Sequence, residues 1–176
     1  MGEDISGAIG DAVRRVRTGR GESMRVVATR AGISQPMLSK VENGQLLPSL
    51  TTVYSLAAAL DVSATSLLPP VGSDAGEPVH FVVDGSGRAP RAELLSGGGD
   101  APFHVYLVTG RAGEEDGRDF VHAGQEFVHV IAGAIDLHRD GDTRRMAAGE
   151  SITYDGTVPH RWSIHEDARY LIISET

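Results

Sequence analysis

The sequence predicts two domains of different class: an all-α bundle of five short helices at residues 1–68, and an all-β barrel, a small jelly roll, at residues 79–176. Three observations predict it. The charge divides, with seven Lys+Arg and six Asp+Glu in residues 1–68 (net +1) against nine and eighteen in the remainder (net −9). All seven histidines lie after residue 79. The apolar pattern changes from helical spacing to short alternating runs across LPPVGSDAGEP (Leu68–Pro78), where Pro, Gly and Ser cluster. Residues 69–78 are read as a linker.

The composition excludes several functions. With no cysteine among 176 residues, disulfides, thiolate metal sites and cysteine nucleophiles are absent. No apolar run approaches the roughly 20 residues that span a bilayer, and MGEDISGAIGDAV lacks the basic-then-apolar pattern of a secretory signal. A cytoplasmic protein without membrane contact is expected. The net charge of −8 argues against nucleic acid as a partner, but its distribution does not: six arginines against one acid, Glu22, lie between Arg14 and Arg30.

In the first domain, Val13 and Val16 mark the apolar stripe of one helix. Ser23 caps a second, with Met24, Val27, Ala28 and Ala31 at helical spacing before Gly32 stops it. Ser34 caps a third, Gln35–Asn43, ended by Gly44; Pro36 is tolerated in its first turn. There Leu38 and Val41 point to the core and Gln35, Pro36, Ser39, Lys40 and Asn43 point outward. A fourth helix follows Pro48 and Ser49, with Val53, Leu56, Ala57 and Leu60 as its stripe. Ser63 is read as capping a fifth that ends at Leu67–Leu68.

Two short helices joined by a Gly-containing turn form a helix-turn-helix, whose second helix enters the DNA major groove with its N-terminal residues at base edges. Gln35 begins that helix and can pair bidentately with adenine; Lys40 can reach guanine or a phosphate. The arginines on the preceding helices suit phosphate contact. The run from Ile9 to Leu68, with AxxAGIS, LSKVENG and ALxVS as its marks, resembles the xenobiotic-response-element (lambda/434 repressor-like) helix-turn-helix family. The resemblance implies base contacts from Gln35, Pro36 and Lys40, with Ser39 nearby, and backbone contacts from Asn43 and Met24. It also implies an ion pair from Arg17 to Glu42 tying the first helix to the recognition helix. Glu22 and Met24 depart from the usual residues of that family.

From Val79 the runs VHFVV, FHVYLVT, QEFVHVIAG, AIDLHRDGD, ESITY, RWSI and RYLIIS read as short strands separated by turns such as Asp140-Gly141-Asp142. His122 and Glu126 are placed on one face of a regular strand, and His160 arrives from a distant one. Two imidazoles and a carboxylate are the ligands of a facial triad, so His122, Glu126 and His160 are candidates for one divalent metal (Fe, Ni, Mn or Zn); a metal-free pocket fits the same residues. His104 and Tyr106 share one face of a strand and are candidate pocket residues. His80, His138 and His165 read as exposed.

These stretches resemble the two cupin motifs. His122, Glu126 and Gly133 match the second His, the Glu and the Gly of the first motif, whose first His is replaced by Phe120, so that Phe120 joins the candidate pocket lining. Gly149, Pro159 and His160 fit the second motif, with Ile164 in place of its Asn. The resemblance implies a barrel holding a metal, a small molecule or both. Together the two halves imply a transcription regulator of the helix-turn-helix class, a homodimer reading operator half-sites in double-stranded DNA and sensing a small-molecule effector. As an alternative, HAGxEF with a later PH is similar to the hydroxypropylphosphonate epoxidases, iron oxygenases acting on a small phosphonate. Their triad matches His122, Glu126 and His160, one of their tyrosines matches Tyr106, and their catalytic lysine has no counterpart near Gly21.

Overall fold

A computed structural model describes residues 5–69, 79–82, 89–98, 101–115, 117 and 119–175. Of the linker at 69–78, only Pro69 lies within them. The chain folds into a helical bundle followed by a rolled antiparallel sheet.

Among the described residues four α-helices build the bundle: α1 (Ile5–Gly19), α2 (Met24–Arg30), α3 (Gln35–Glu42) and α4 (Leu50–Leu60). Ser23, Ser34 and Ser49 cap the last three, each side chain accepting a backbone N–H from the third residue on, at Val26, Met37 and Thr52. Val13, Val27, Leu38, Val41, Val53 and Leu56 meet in the core with no exposure. The fifth helix expected after Ser63 is instead a single 3-10 turn at Ala64–Leu67. Pro69 follows Leu68 at once; it lacks the N–H that a further helical turn needs, and proline disfavours helical dihedrals at the residue before it.

Among the described residues the sheet has seven strands: β1 (Val79–Val82), β2 (Arg91–Ser96), β3 (Phe103–Gly110), β4 (Gln125–Arg139), β5 (Asp142–Ala147), β6 (Ser151–Asp155) and β7 (His160–Glu175). Their order is β1-β2-β3-β7-β4-β5, all antiparallel. β4 is shared: Gln125–His129 pair with β6, Ala134–Arg139 pair with β5, and β7 runs along the opposite edge. Two strands expected on either side of Gly133 are therefore one, as are those read at RWSI and RYLIIS. Gly133 has φ +75, and a Cβ there would lie 2.0 Å from the Asp167 carbonyl oxygen. The register shifts between Val130 and Ile135, so the chain bends at this point without leaving the sheet.

β2 and β5 were not among the expected runs. In β5 only Met146 is buried, so the strand carries no alternation to read. The Asp140–Gly141 turn has positive φ at both positions, 56 and 83, as a two-residue hairpin requires. Tyr106, Val130, Ile135, Met146, Trp162 and Tyr170 fill the sheet interior. Among the described residues no helix is long and apolar enough to cross a membrane.

Candidate functional site

Two constellations carry chemistry, one on α3 and one inside the rolled sheet. In α3, Leu38 and Val41 anchor the helix to the core, leaving Gln35, Pro36 and Lys40 exposed and Ser39 half-buried along one side. Asn43 ends the helix, and its Nδ2 donates to the Ser39 carbonyl at 2.8 Å. Met24 is half-buried at the start of α2. The helix is tied to α1 by Arg17, 9% exposed, whose Nε and Nη2 donate to the two Glu42 oxygens at 2.6 and 2.8 Å. A third Arg17 nitrogen donates to the Glu22 carbonyl at 2.8 Å. Planar guanidinium against planar carboxylate fixes both partners. The Glu22 side chain pairs with Arg30, and Arg20 with Asp61.

Inside the sheet, His122, Glu126 and His160 come together, with one ligand atom of each within 4.8 Å of the others. Glu126 is the second residue of β4 and His160 the first of β7, while His122 stands on the loop before β4. The ring of His122 lies over Gly156, where a Cβ would approach it to 2.3 Å. His122 Nδ1 meets the Ala123 carbonyl and His160 Nδ1 the Val158 carbonyl, each at 3.0 Å. A carbonyl only accepts, so both Nδ1 atoms carry the proton and each Nε2 is left facing Glu126. The separations to the carboxylate are 3.0 Å from His122 and 3.5 Å from His160. Two Nε2 lone pairs opposite a carboxylate call for positive charge between them, supplied by protonated imidazole or by a bound cation. The donor set therefore fits a divalent metal.

Glu126 also accepts from the Tyr154 hydroxyl and, at 2.8 Å, from Ser174. Burial would raise its pKa, but the hydrogen bonds and charges of His122 and His160 outweigh it and hold the carboxyl far below its usual range. Burial pulls His122 down; the hydrogen bond and charge of Glu126 overcome this, and its pKa is raised. Burial, then the charge of Glu126, carries the Tyr154 phenol well above its usual range.

Phe120 bridges to His160 across the strand ends, and Tyr106 lines the same small cavity beside the triad. His104 lines a separate cleft at the rim. Of the histidines read as exposed, His138 is half-buried, hydrogen-bonded to Thr143 and Ser163. Sequence reasoning passed over Tyr154, Ser174 and Tyr54. The first two lie directly opposite Glu126 in the registers of β6 and β7, which only strand pairing reveals. Tyr54, on α4, reaches across to the barrel, its ring 5.6 Å from that of Phe120 and 5.7 Å from that of His122. Its signal was an aromatic one place off the Val53–Leu56–Leu60 stripe. Burial, then the charge of Glu126, holds its phenol well above the usual range.

Residues 13–67 match the family model described as Helix-turn-helix, and residues 106–174 match that described as Cupin domain. The HTH-type transcriptional regulator SutR of Escherichia coli (strain K12) is 23% identical over 161 residues, 90% of this chain and 88% of that protein. The uncharacterized HTH-type transcriptional regulator y4dJ of Sinorhizobium fredii (strain NBRC 101917 / NGR234) is 37% identical over 67 residues, 38% of this chain and 87% of that protein. The crystal structure of an HTH_3 family transcriptional regulator from Vibrio cholerae shares the fold. It covers 98% of this chain and 97% of its own with a TM-score of 0.65 and 18% identity.

Proposed function

This chain belongs to the HTH-type transcriptional regulators, and we propose that it reads operator half-sites as a homodimer under the control of a small-molecule effector sensed by its cupin domain. The observation that carries the reading is the exposed side of α3, presented by a helix that the Arg17–Glu42 pair locks in place. Gln35 reads adenine, Lys40 reads guanine or a phosphate, Pro36 and Ser39 complete the base-facing side, and Asn43 and Met24 approach the backbone. One such helix reads one half-site, so two chains presenting theirs about 34–36 Å apart read a full operator.

His122, Glu126 and His160 would hold the metal, Fe, Ni, Mn or Zn, and the backbone carbonyls of Ala123 and Val158 keep both imidazoles oriented for it. Bound there, the ion would supply the positive charge that the two Nε2 lone pairs and the carboxylate call for. A mobility-shift titration of the full chain on its own promoter region against random DNA tests the regulator reading. Specific binding that weakens steeply with salt is the expected result, and equal affinity for both DNAs sinks it. For the metal, adding Fe(II), Ni(II) or Zn(II) should change Trp162 emission, and this change should vanish in His122→Ala. The same triad supports a second reading, an iron oxygenase acting on a small phosphonate-like substrate. Stoichiometric iron with phosphonate-dependent oxygen consumption would favour it.

A further inference from the structure

The space beside the triad is about 30 Å³, room for one water-sized species, because Tyr106, Trp162 and Tyr170 occupy the interior. The mouth of the barrel differs. A cleft of about 500 Å³ lies between the rim and the DNA-reading domain, walled by Tyr54, Ala58 and Val62 on one side and His104, Val121 and His122 on the other. That volume is in the range of small-molecule sites. His104 adds an independent observation: it is 2% exposed, and its Nε2 has no hydrogen-bond partner. Buried polar atoms are seldom left unpaired, and a ligand group supplies what is missing. Burial and the nearby His122 lower the pKa of His104 to about 4, so it meets a ligand as a neutral imidazole. Glu175, also on the cleft wall, disfavours an anion; Asp61 lines the cleft too, its charge met by Arg20.

We propose that the effector occupies this interdomain cleft, with α4 of the DNA-reading domain as one wall of the sensor site, and that it is a small, uncharged, largely apolar molecule carrying one hydrogen-bonding group. The inference rests on the sensing role proposed above and places it. His122 lines both the cleft and the inner cavity, so an occupant of the cleft also touches the triad. Tyr54 does the same from the other domain. Since α4 packs on α2, and α2 packs on α3, an occupant bears on the helix that supports the recognition helix.

N-phenyl-1-naphthylamine, neutral, apolar and bearing a single N–H, serves as the probe. Titrated into the full-length protein it should bind saturably, brightening its own emission and quenching Trp162, the sole tryptophan. Ala58→Phe, on the exposed side of α4, and Thr157→Phe, on the barrel rim, block the cleft from opposite walls. Each should weaken the probe about tenfold or more, while Ala58→Ser leaves its affinity within about twofold. Far-UV circular dichroism identifies a variant that has lost its fold, and the other then decides. No saturable binding, or binding that a folded blocking variant leaves unchanged, overturns the proposal. Repeated on protein saturated with its promoter DNA, the probe's Kd should shift by about threefold or more. An unchanged Kd on protein that binds the DNA refutes the shared wall. Failure to bind the DNA removes the regulator reading instead, and the cleft titration stands by itself.

Discussion

Glu126 faces His122, His160, Tyr154 and Ser174 at once. Its environment makes stability depend on pH in two directions. His122 has a raised pKa in the folded state, so the stability it contributes is complete below the unfolded value of about 6.5 and is lost as pH rises through the folded one. Glu126 has a depressed pKa, so its contribution is present above the unfolded value of about 4.3 and disappears in strong acid. Urea unfolding of metal-free protein, followed by Trp162 emission, should show stability falling between neutral and mildly alkaline pH; His122→Gln should flatten that limb. In the bundle, Arg17→Met leaves Glu42 charged, buried and unpaired, and should cost about 3 kcal/mol in a denaturant titration. Replacing both residues, Arg17→Met with Glu42→Leu, should recover much of that loss. Arg17 and Glu42 were legible in the sequence through the resemblance to the repressor-like family. The contacts of Glu126 with Tyr154 and Ser174 were not, because they depend on register between strands far apart in the chain.

At the scale of elements, helices were easier to read than strands. Ser23, Ser34 and Ser49 stand where capping chemistry places them, and the stripes of α2 to α4 follow helical spacing within a single segment. The exception, Ala64–Leu67, failed for a local reason visible in the two prolines behind it. Strand ends were harder because glycine has two meanings in a sheet. Gly133 reads as a terminator, yet here it lets β4 bend against Asp167 while keeping both partners. Gly133→Ala should therefore destabilise the barrel by more than about 1 kcal/mol, through strain at positive φ and the clash with the Asp167 carbonyl; thermal unfolding checks it. Gly156→Ala acts at the other end of the strand system. Its methyl group enters the ring of His122, so metal-induced changes in Trp162 emission should weaken while the bundle keeps its melting behaviour.

For the whole molecule, the net charge of −8 conceals a reader of +1 beside an acidic barrel. Lys40→Ala should weaken DNA binding across sequences and reduce the salt slope by about one, whereas Gln35→Ala should relax preference at one base pair by about 1–3 kcal/mol. Mobility shifts at several salt concentrations separate the two effects. The division into two domains was plain in the sequence; the meeting of the domains was not, since Tyr54 meets Phe120 and His122, which lie far along the chain. That meeting has a consequence for recombination. Repressor-like bundles are the sort of module that can be transplanted between sensors, but α4 here is shaped on two sides, by its own core and by the barrel mouth. A chimaera carrying a foreign bundle without an aromatic at the place of Tyr54 would fold both halves and leave the barrel uncapped. Exchanging the two halves together would keep Tyr54 against Phe120 and His122.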